Sequence, residues 1–212
     1  MDLLPRITAL EQNPRRPNTI SLEMDGVRFG AVARDVVTAE GLSVGQTIEA
    51  DLHHRLTAAA DIEAAHRTAM RCLELRSYAR KDLAWRLQRK GHPRSAVEAA
   101  LERIAALGLL DDRAYARLYV QTRAQRGRGP SRLISDLLSM GVDRSLIDRA
   151  ISEEWPEGSD RTTMPQALAM KRAAQLGTLP RQTKRRRLLA YLARRGFSGR
   201  DVSHMVEEVL QA

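Results

Sequence analysis

The 212-residue sequence contains a single cysteine, Cys72. No internal disulfide can form, which favours a reducing compartment and a cytoplasmic protein. Aromatic residues make up 4% of the chain, eight side chains in all. That is too few for a protein that lays single-stranded bases on a broad stacking platform. No apolar run approaches the roughly 20 residues a membrane helix requires, so no membrane partner is expected. The opening Met1-Asp2-Leu3-Leu4-Pro5 lacks the basic-then-apolar pattern of a signal peptide. No glycine opens a GxxxxGK[ST] phosphate loop, and neither HExxH nor GxSxG occurs. The histidines at 53, 54, 66, 92 and 204 do not combine with Cys72 at ligand spacing, so neither metal nor cofactor is expected.

Apolar residues account for 43% of the chain, which is normal for a folded globular protein. The formal charge is +9, pointing to an anionic partner. Its distribution is uneven. Residues 1–60 hold six arginines and eight acids, whereas residues 161–200 hold eleven basic residues and no acid. Of the 35 basic residues, 31 are arginine. The planar guanidinium fork suits bidentate contact with phosphate or carboxylate. GC-rich coding would also enrich arginine, but it does not explain the clustering.

Thr19-Ile20-Ser21-Leu22-Glu23-Met24 alternates apolar and polar side chains as a half-buried strand does. Asp25-Gly26 and a second alternating run, Val27 to Val32, complete a hairpin signal. A short helix over 33–40, stopped by Gly41, and a brief strand or turn at 45–48 fill out a small α+β segment, 1–60. From Asp61 onward Ala, Leu and Arg dominate, all strong helix formers. Glycine and proline breaks divide this stretch into nine expected helices: 61–75, 78–90, 94–107, 111–126, 131–140, 144–154, 165–176, 181–195 and 199–210. Asp111, Asp143 and Ser198 are expected N-caps, and Thr163 with Gln166 has capping-box spacing.

Alignment on Gly91, Gly141 and Gly196 exposes a repeat. Eight residues before each glycine stands Leu83, Leu133 or Leu188, and four before stands Leu87, Leu137 or Leu192. Six after stands Val97, Ile147 or Val202, and ten after stands Leu101, Ile151 or Val206. These steps put two aliphatic side chains on one face of each flanking helix. The glycine allows the positive φ that ends the first helix. With a preceding helix each pair makes a three-helix unit: 61–110, 111–157 and 158–212. The expected fold is mainly α, an elongated solenoid of three such units.

The ordered set resembles the RecX family, regulators of the RecA recombinase. It comprises Arg76-Ser77, Leu83, Leu87 and Lys90-Gly91, then Leu107-Gly108-Leu109-Leu110-Asp111-Asp112 and Tyr115-Ala116. Gly129, Leu133, Leu137 and Gly141-Val142 follow, then Leu192-Ala193-Arg194-Arg195-Gly196-Phe197-Ser198. The resemblance implies a non-enzymatic, cytoplasmic modulator, expected to be a monomer. It would bind RecA–DNA filaments along their groove and suppress ATP hydrolysis, strand exchange and repressor autocleavage, and with them modulate DNA repair, recombination and the SOS response. The implied partners are a RecA-type filament and single- and double-stranded DNA.

Three basic groups are candidate binding surfaces. The first is Arg76, Arg80, Lys81, Arg86, Arg89 and Lys90; Glu74 and Asp82 lie nearby, so a solvated helix face stays open as its explanation. The second, Arg123, Arg126, Arg128 and Arg132, surrounds a glycine-rich turn whose N–H groups could take phosphate. The third is Arg181, Lys184, Arg185, Arg186, Arg187, Arg194 and Arg195. No acid interrupts either of the last two runs, which favours binding. Trp85 and Trp155 are expected to pack between units, Cys72 to be buried, and His53-His54 to face solvent. The alternatives are a base-reading helix-turn-helix protein and a basic helical solenoid that binds nucleic acid non-specifically without a recombinase partner; the second helix of each pair is neutral or acidic, which fits backbone contact better than base readout.

Overall fold

A computed structural model of the chain describes residues 4–14, 16–159 and 162–211; residues 1–3 of the expected leaderless start, with 15, 160, 161 and 212, lie outside them. Among the described residues there are three strands and ten helices. They form two compact units, one of residues up to 78 with 82–110, the other of 79–81 with 111–212.

In the first unit, β1 (Ile7–Asn13), β2 (Arg16–Met24) and β3 (Val27–Ala33) form an antiparallel sheet in the order β1-β2-β3. The expected hairpin is β2–β3. Asp25 and Gly26 turn it with φ of 48° and 75°, the two positive values a tight two-residue hairpin loop demands. The Asp25 carboxylate accepts the Arg6 N–H at 3.0 Å, and Gly26 N–H donates to Thr8 Oγ1 at 3.0 Å. Those bonds fasten β1 to the turn. β1 itself was not expected. Its pairing with β2 shifts register between Ile7 and Ala9 and again between Gln12 and Asn13, so the sequence carries no clean alternation. Helix α1 (Arg34–Ala39) follows as expected, and Gly41 ends it at φ 57°.

Helix α2 (Ala50–Leu75) starts well before the expected residue 61. Its first half belongs to the sheet: Leu56 is fully buried with Ile7, Leu22 and Ile48, and Leu52 packs on them. A Cβ on Gly30 of β3 would stand 3.0 Å from Ala60 Cβ, so strand and helix are in close contact. His53 is half-buried, its ring edge-on to Phe29 at 5.4 Å, whereas His54 is exposed. The second half of α2 supplies Ala65, Ala69 and Cys72 to a separate core with Leu83 and Leu87 of α3 (Arg80–Arg89) and Val97 and Leu101 of α4 (Arg94–Ala106).

The second unit holds α5 (Asp112–Ala124), α6 (Pro130–Ser139), α7 (Arg144–Glu154), α8 (Thr163–Gln175), α9 (Arg181–Arg195) and α10 (Arg200–Val209). The repeat persists at the level of hydrogen bonds. His92, Val142 and Phe197, each following its glycine, donate N–H groups to the carbonyls of Leu87, Leu137 and Leu192 at 3.3, 3.1 and 3.0 Å. Gly91, Gly141 and Gly196 have φ of 88°, 77° and 94°. Of the twelve aliphatic repeat positions, Ile151 and Val202 are half-buried and the rest are buried.

Capping follows the expectation in part. Asp111 accepts the N–H groups of Arg113 and Ala114, and Asp143 that of Ser145. Asp112 reaches further and accepts the Arg80 N–H at 2.7 Å, capping α3. Ser198 is not a cap, because Gly199 occupies that position at φ 113°. Thr163 is already inside its helix, preceded by Thr162, so the capping box does not form.

Gly196 has a second duty. Gly129 N–H donates to the Arg195 carbonyl at 2.7 Å and Ser131 N–H to the Gly196 carbonyl at 3.3 Å. A Cβ on Gly196 would overlap the Arg132 backbone and lie 2.7 Å from the Gly129 oxygen; one on Gly129 would overlap the Gly196 carbonyl. Phe197 and the half-buried Trp155 lie beside this contact. Trp85, by contrast, is 45% exposed.

Two substitutions at matched φ separate these duties. Gly91→Ala meets open space and should cost only the left-handed strain, about 1–2 kcal/mol. Gly196→Ala should cost clearly more in urea unfolding; equal losses would dismiss the contact. Asp111→Asn should leave stability nearly unchanged, while Asp111→Ala costs about 1 kcal/mol; equal loss from both would reject the cap.

Candidate functional site

The three basic groups look alike in sequence and differ in space. In the first, the Arg76 guanidinium lies 3.6 Å from the centre of the buried Tyr78 ring and pairs with Asp82 at 3.5 Å. Arg86 approaches the same ring at 5.8 Å, with its Nε buried. These two arginines serve packing. Arg80 is half-buried and engaged, its backbone N–H held by Asp112. Lys81, Arg89 and Lys90 are exposed, with no ion-pair partner within 4 Å among the described residues.

The second group is organised by one acid. Asp136 accepts from the Tyr119 hydroxyl at 3.2 Å and from Arg128 at 2.9 Å, and pairs with Arg132 at 2.9 Å. The Arg123 guanidinium lies 3.9 Å over the Tyr119 ring. Burial, and then the Asp136 charge, push the Tyr119 hydroxyl above its ordinary pKa. Of this group only the exposed Arg126 has a side chain without a partner among the described residues. The uninterrupted basic run is thus interrupted in space. The phosphate-cradling turn is corrected too: Gly127, Arg128 and Gly129 donate their N–H groups to Ala124, Arg123 and Arg195 carbonyls at 2.8, 3.0 and 2.7 Å. Both glycines are buried, so the turn offers a ligand no free donor from these residues.

The third group points in three directions, because consecutive helical residues face about 100° apart. Arg181 and Arg185 reach Glu207 of α10, Arg181 at 3.1 Å. The hydrogen bond from Arg185 holds the Glu207 carboxyl below its usual pKa, with Arg181 adding to it. Arg195 turns inward and donates to the Gly127 carbonyl at 3.2 Å. That leaves Lys184, half-buried, and Arg186, Arg187 and Arg194, exposed, without a carboxylate among the described residues. They give α9 a broad cationic stripe: Arg187 and Arg194 share one face about 10 Å apart along the axis, and Lys184 and Arg186 flank that face on opposite sides.

Other arginines went unmarked in sequence. Arg67 and Arg71 stand at i, i+4 on α2, a spacing that could have drawn notice. Arg16 and Arg28 join them only through the fold. Among the described residues, no three His, Cys, Asp or Glu side chains are placed to hold a metal ion, and no helix is long and apolar enough to cross a membrane.

A family model described as the second three-helix domain of RecX matches residues 111–151. Regulatory protein RecX of Halorhodospira halophila is 34% identical over 146 residues, 68% of this chain and 88% of that protein. Regulatory protein RecX of Pseudomonas entomophila is 35% identical over 136 residues, 64% of this chain and 84% of that one. A crystal structure of a regulatory protein RecX superposes with a TM-score of 0.74 at 24% identity, covering 97% of this chain and all of the other. That of RecX from Lactobacillus salivarius gives 0.59 at 21% identity, covering 71% and 97%. These two structures show a shared fold.

The clasp on Glu207 carries a pH signature. A carboxylate whose folded pKa is depressed stabilises above its unfolded pKa, and that stabilisation is lost as pH falls through the folded value. Wild type should therefore exceed Glu207→Gln in urea unfolding near neutrality, and the gap should close on acidification. A gap that does not vary with pH would show that the carboxylate charge contributes nothing.

Proposed function

The chain belongs to the RecX family, and on that footing we propose that it is a regulatory, non-catalytic protein that binds RecA-type recombinase filaments on DNA and lowers their ATP hydrolysis, strand exchange and coprotease activity. It acts in the cytoplasm as a monomer without a cofactor, restraining recombinational repair and the SOS response. Its body is read as three tandem three-helix units, 61–110, 111–157 and 158–212. The observation that carries the reading is the α9 stripe. Its neighbours Arg181, Arg185 and Arg195 are committed to internal partners, while Lys184, Arg186, Arg187 and Arg194 keep their charge for an anionic partner.

Contact with backbone or with an acidic protein face fits better than base readout. The second helices of the pairs, α4, α7 and α10, carry acids in numbers that match or exceed their bases, and one acid of α10 is already bound to α9. A helix reading bases in a groove should be basic.

Adding the protein to recombinase, ATP and single-stranded DNA should reduce ATP hydrolysis saturably; an unchanged rate at saturating protein would overturn the proposal. Replacing Lys184, Arg186, Arg187 and Arg194 with Ala, while sparing Arg185, should weaken filament binding. It should also flatten the salt dependence by about 0.7–0.9 in log–log slope per lost phosphate contact. An unaltered slope would remove the stripe from contact with phosphates.

A further inference from the structure

The first unit gathers four arginines that the sequence scatters. Arg67 and Arg71 lie one turn apart on α2, Arg16 begins β2, and Arg28 follows the β2–β3 turn. None of their guanidinium groups has a carboxylate, hydrogen-bond or ring partner among the described residues. Arg67 is half-buried and the other three are exposed.

They act on one another. Burial, then the charges of Arg16, Arg71 and Arg28, lower the Arg67 guanidinium from its ordinary pKa. Glu63 opposes this only in part, since it is buried and bound to Arg103. Arg67 and Lys90 also lower His92, after burial and against Asp61, and the His92 ring sits 3.0 Å from Thr68 Oγ1. Positive charge therefore gathers from the start of β2 across to Arg67 and Arg71 on α2. Glu23 stands opposite Arg28 in the sheet register yet forms no ion pair with it. Like charges brought together without counter-charges cost folding energy, so the face is suited to an anion from outside.

We propose that Arg16, Arg28, Arg67 and Arg71 form a second DNA-binding face, which takes the phosphate backbone. Spacing selects a linear polyanion over a single small anion. Arg16 is opposite Asn13 at one end of β2, and Arg28 is opposite Glu23 near the other. Roughly 20 Å of strand separates them, while Arg67 and Arg71 are about 6 Å apart along α2. One phosphate cannot touch all four; a run of phosphates can. The N-terminal segment, slightly acidic in total, thereby gains a role, because it supplies two of the four cations.

The face concerns DNA alone and does not depend on the recombinase reading, so it is tested without recombinase. The full chain is titrated against fluorescein-labelled 30-residue oligothymidylate by anisotropy over a range of salt. Arg67→Gln with Arg71→Gln should weaken binding about fivefold or more and lower the log–log salt slope by about 1.4, and Arg28→Gln alone by about 0.7. Circular dichroism should show an intact fold, with thermal stability unchanged or raised as repulsion is relieved. Should the double variant fail to fold, the exposed Arg28→Gln decides. Unchanged affinity and unchanged slopes in both variants would overturn the proposal.

Discussion

Gly129 and Gly196 meet backbone to backbone, and much of the second unit is arranged around that meeting. Neither residue could carry even a methyl group there. Gly196 shares with Gly91 and Gly141 the left-handed turn that reverses the chain between two helices, but unlike Gly91 it also receives a neighbouring backbone. The approach uses the N–H of Gly129 and brings the Arg195 guanidinium over the Gly127 carbonyl. Three polar groups that would be costly to bury alone are thereby satisfied together. A turn that reads in sequence as an open anion cradle becomes part of the interior.

The same meeting explains why arginine count is a poor guide to binding surface in this chain. Arg194 and Arg195 are adjacent, and helix geometry sends one to solvent and the other into the fold. Arg181 and Arg185 are fixed by an acid on another helix, Arg128 and Arg132 by Asp136, and Arg76 by an aromatic ring and Asp82. Guanidinium groups are versatile enough to serve as clasps, packing plates and ligand contacts. Which of these each becomes is decided by its neighbours in space.

Much of the helical body was legible because it rests on local signals. Glycine with aliphatic residues at fixed offsets specifies a helix, a turn and a second helix within about twenty residues, and helix ends at Arg89, Ser139 and Arg195 fall close to those expected. The Asp25-Gly26 hairpin was equally local. What escaped depended on distant partners. β1 is interrupted by register shifts and is secured by Asp25 and Gly26 from further along the chain. The first turns of α2 have meaning only once Leu56 meets the sheet. The candidate surface was legible as charge but not as accessible charge: nothing near residue 181 announces Glu207. The convergence of Arg16 and Arg28 on Arg67 needs three separate segments.

Helix α2 is one rod of 26 residues serving two cores, about 39 Å long. Chains are synthesised from the N-terminus, and local hairpins close within microseconds. The β2–β3 hairpin can therefore close early, but Leu22 and Ile48 are covered only when Leu56 docks. Once that turn of α2 docks, the nucleation cost of the whole helix has been met. The remaining turns then extend outward as a preformed template for α3 and α4. The small sheet and the α3–α4 core are thereby coupled through a single helix, so ordering at Leu56 favours ordering at Ala65, Ala69 and Cys72.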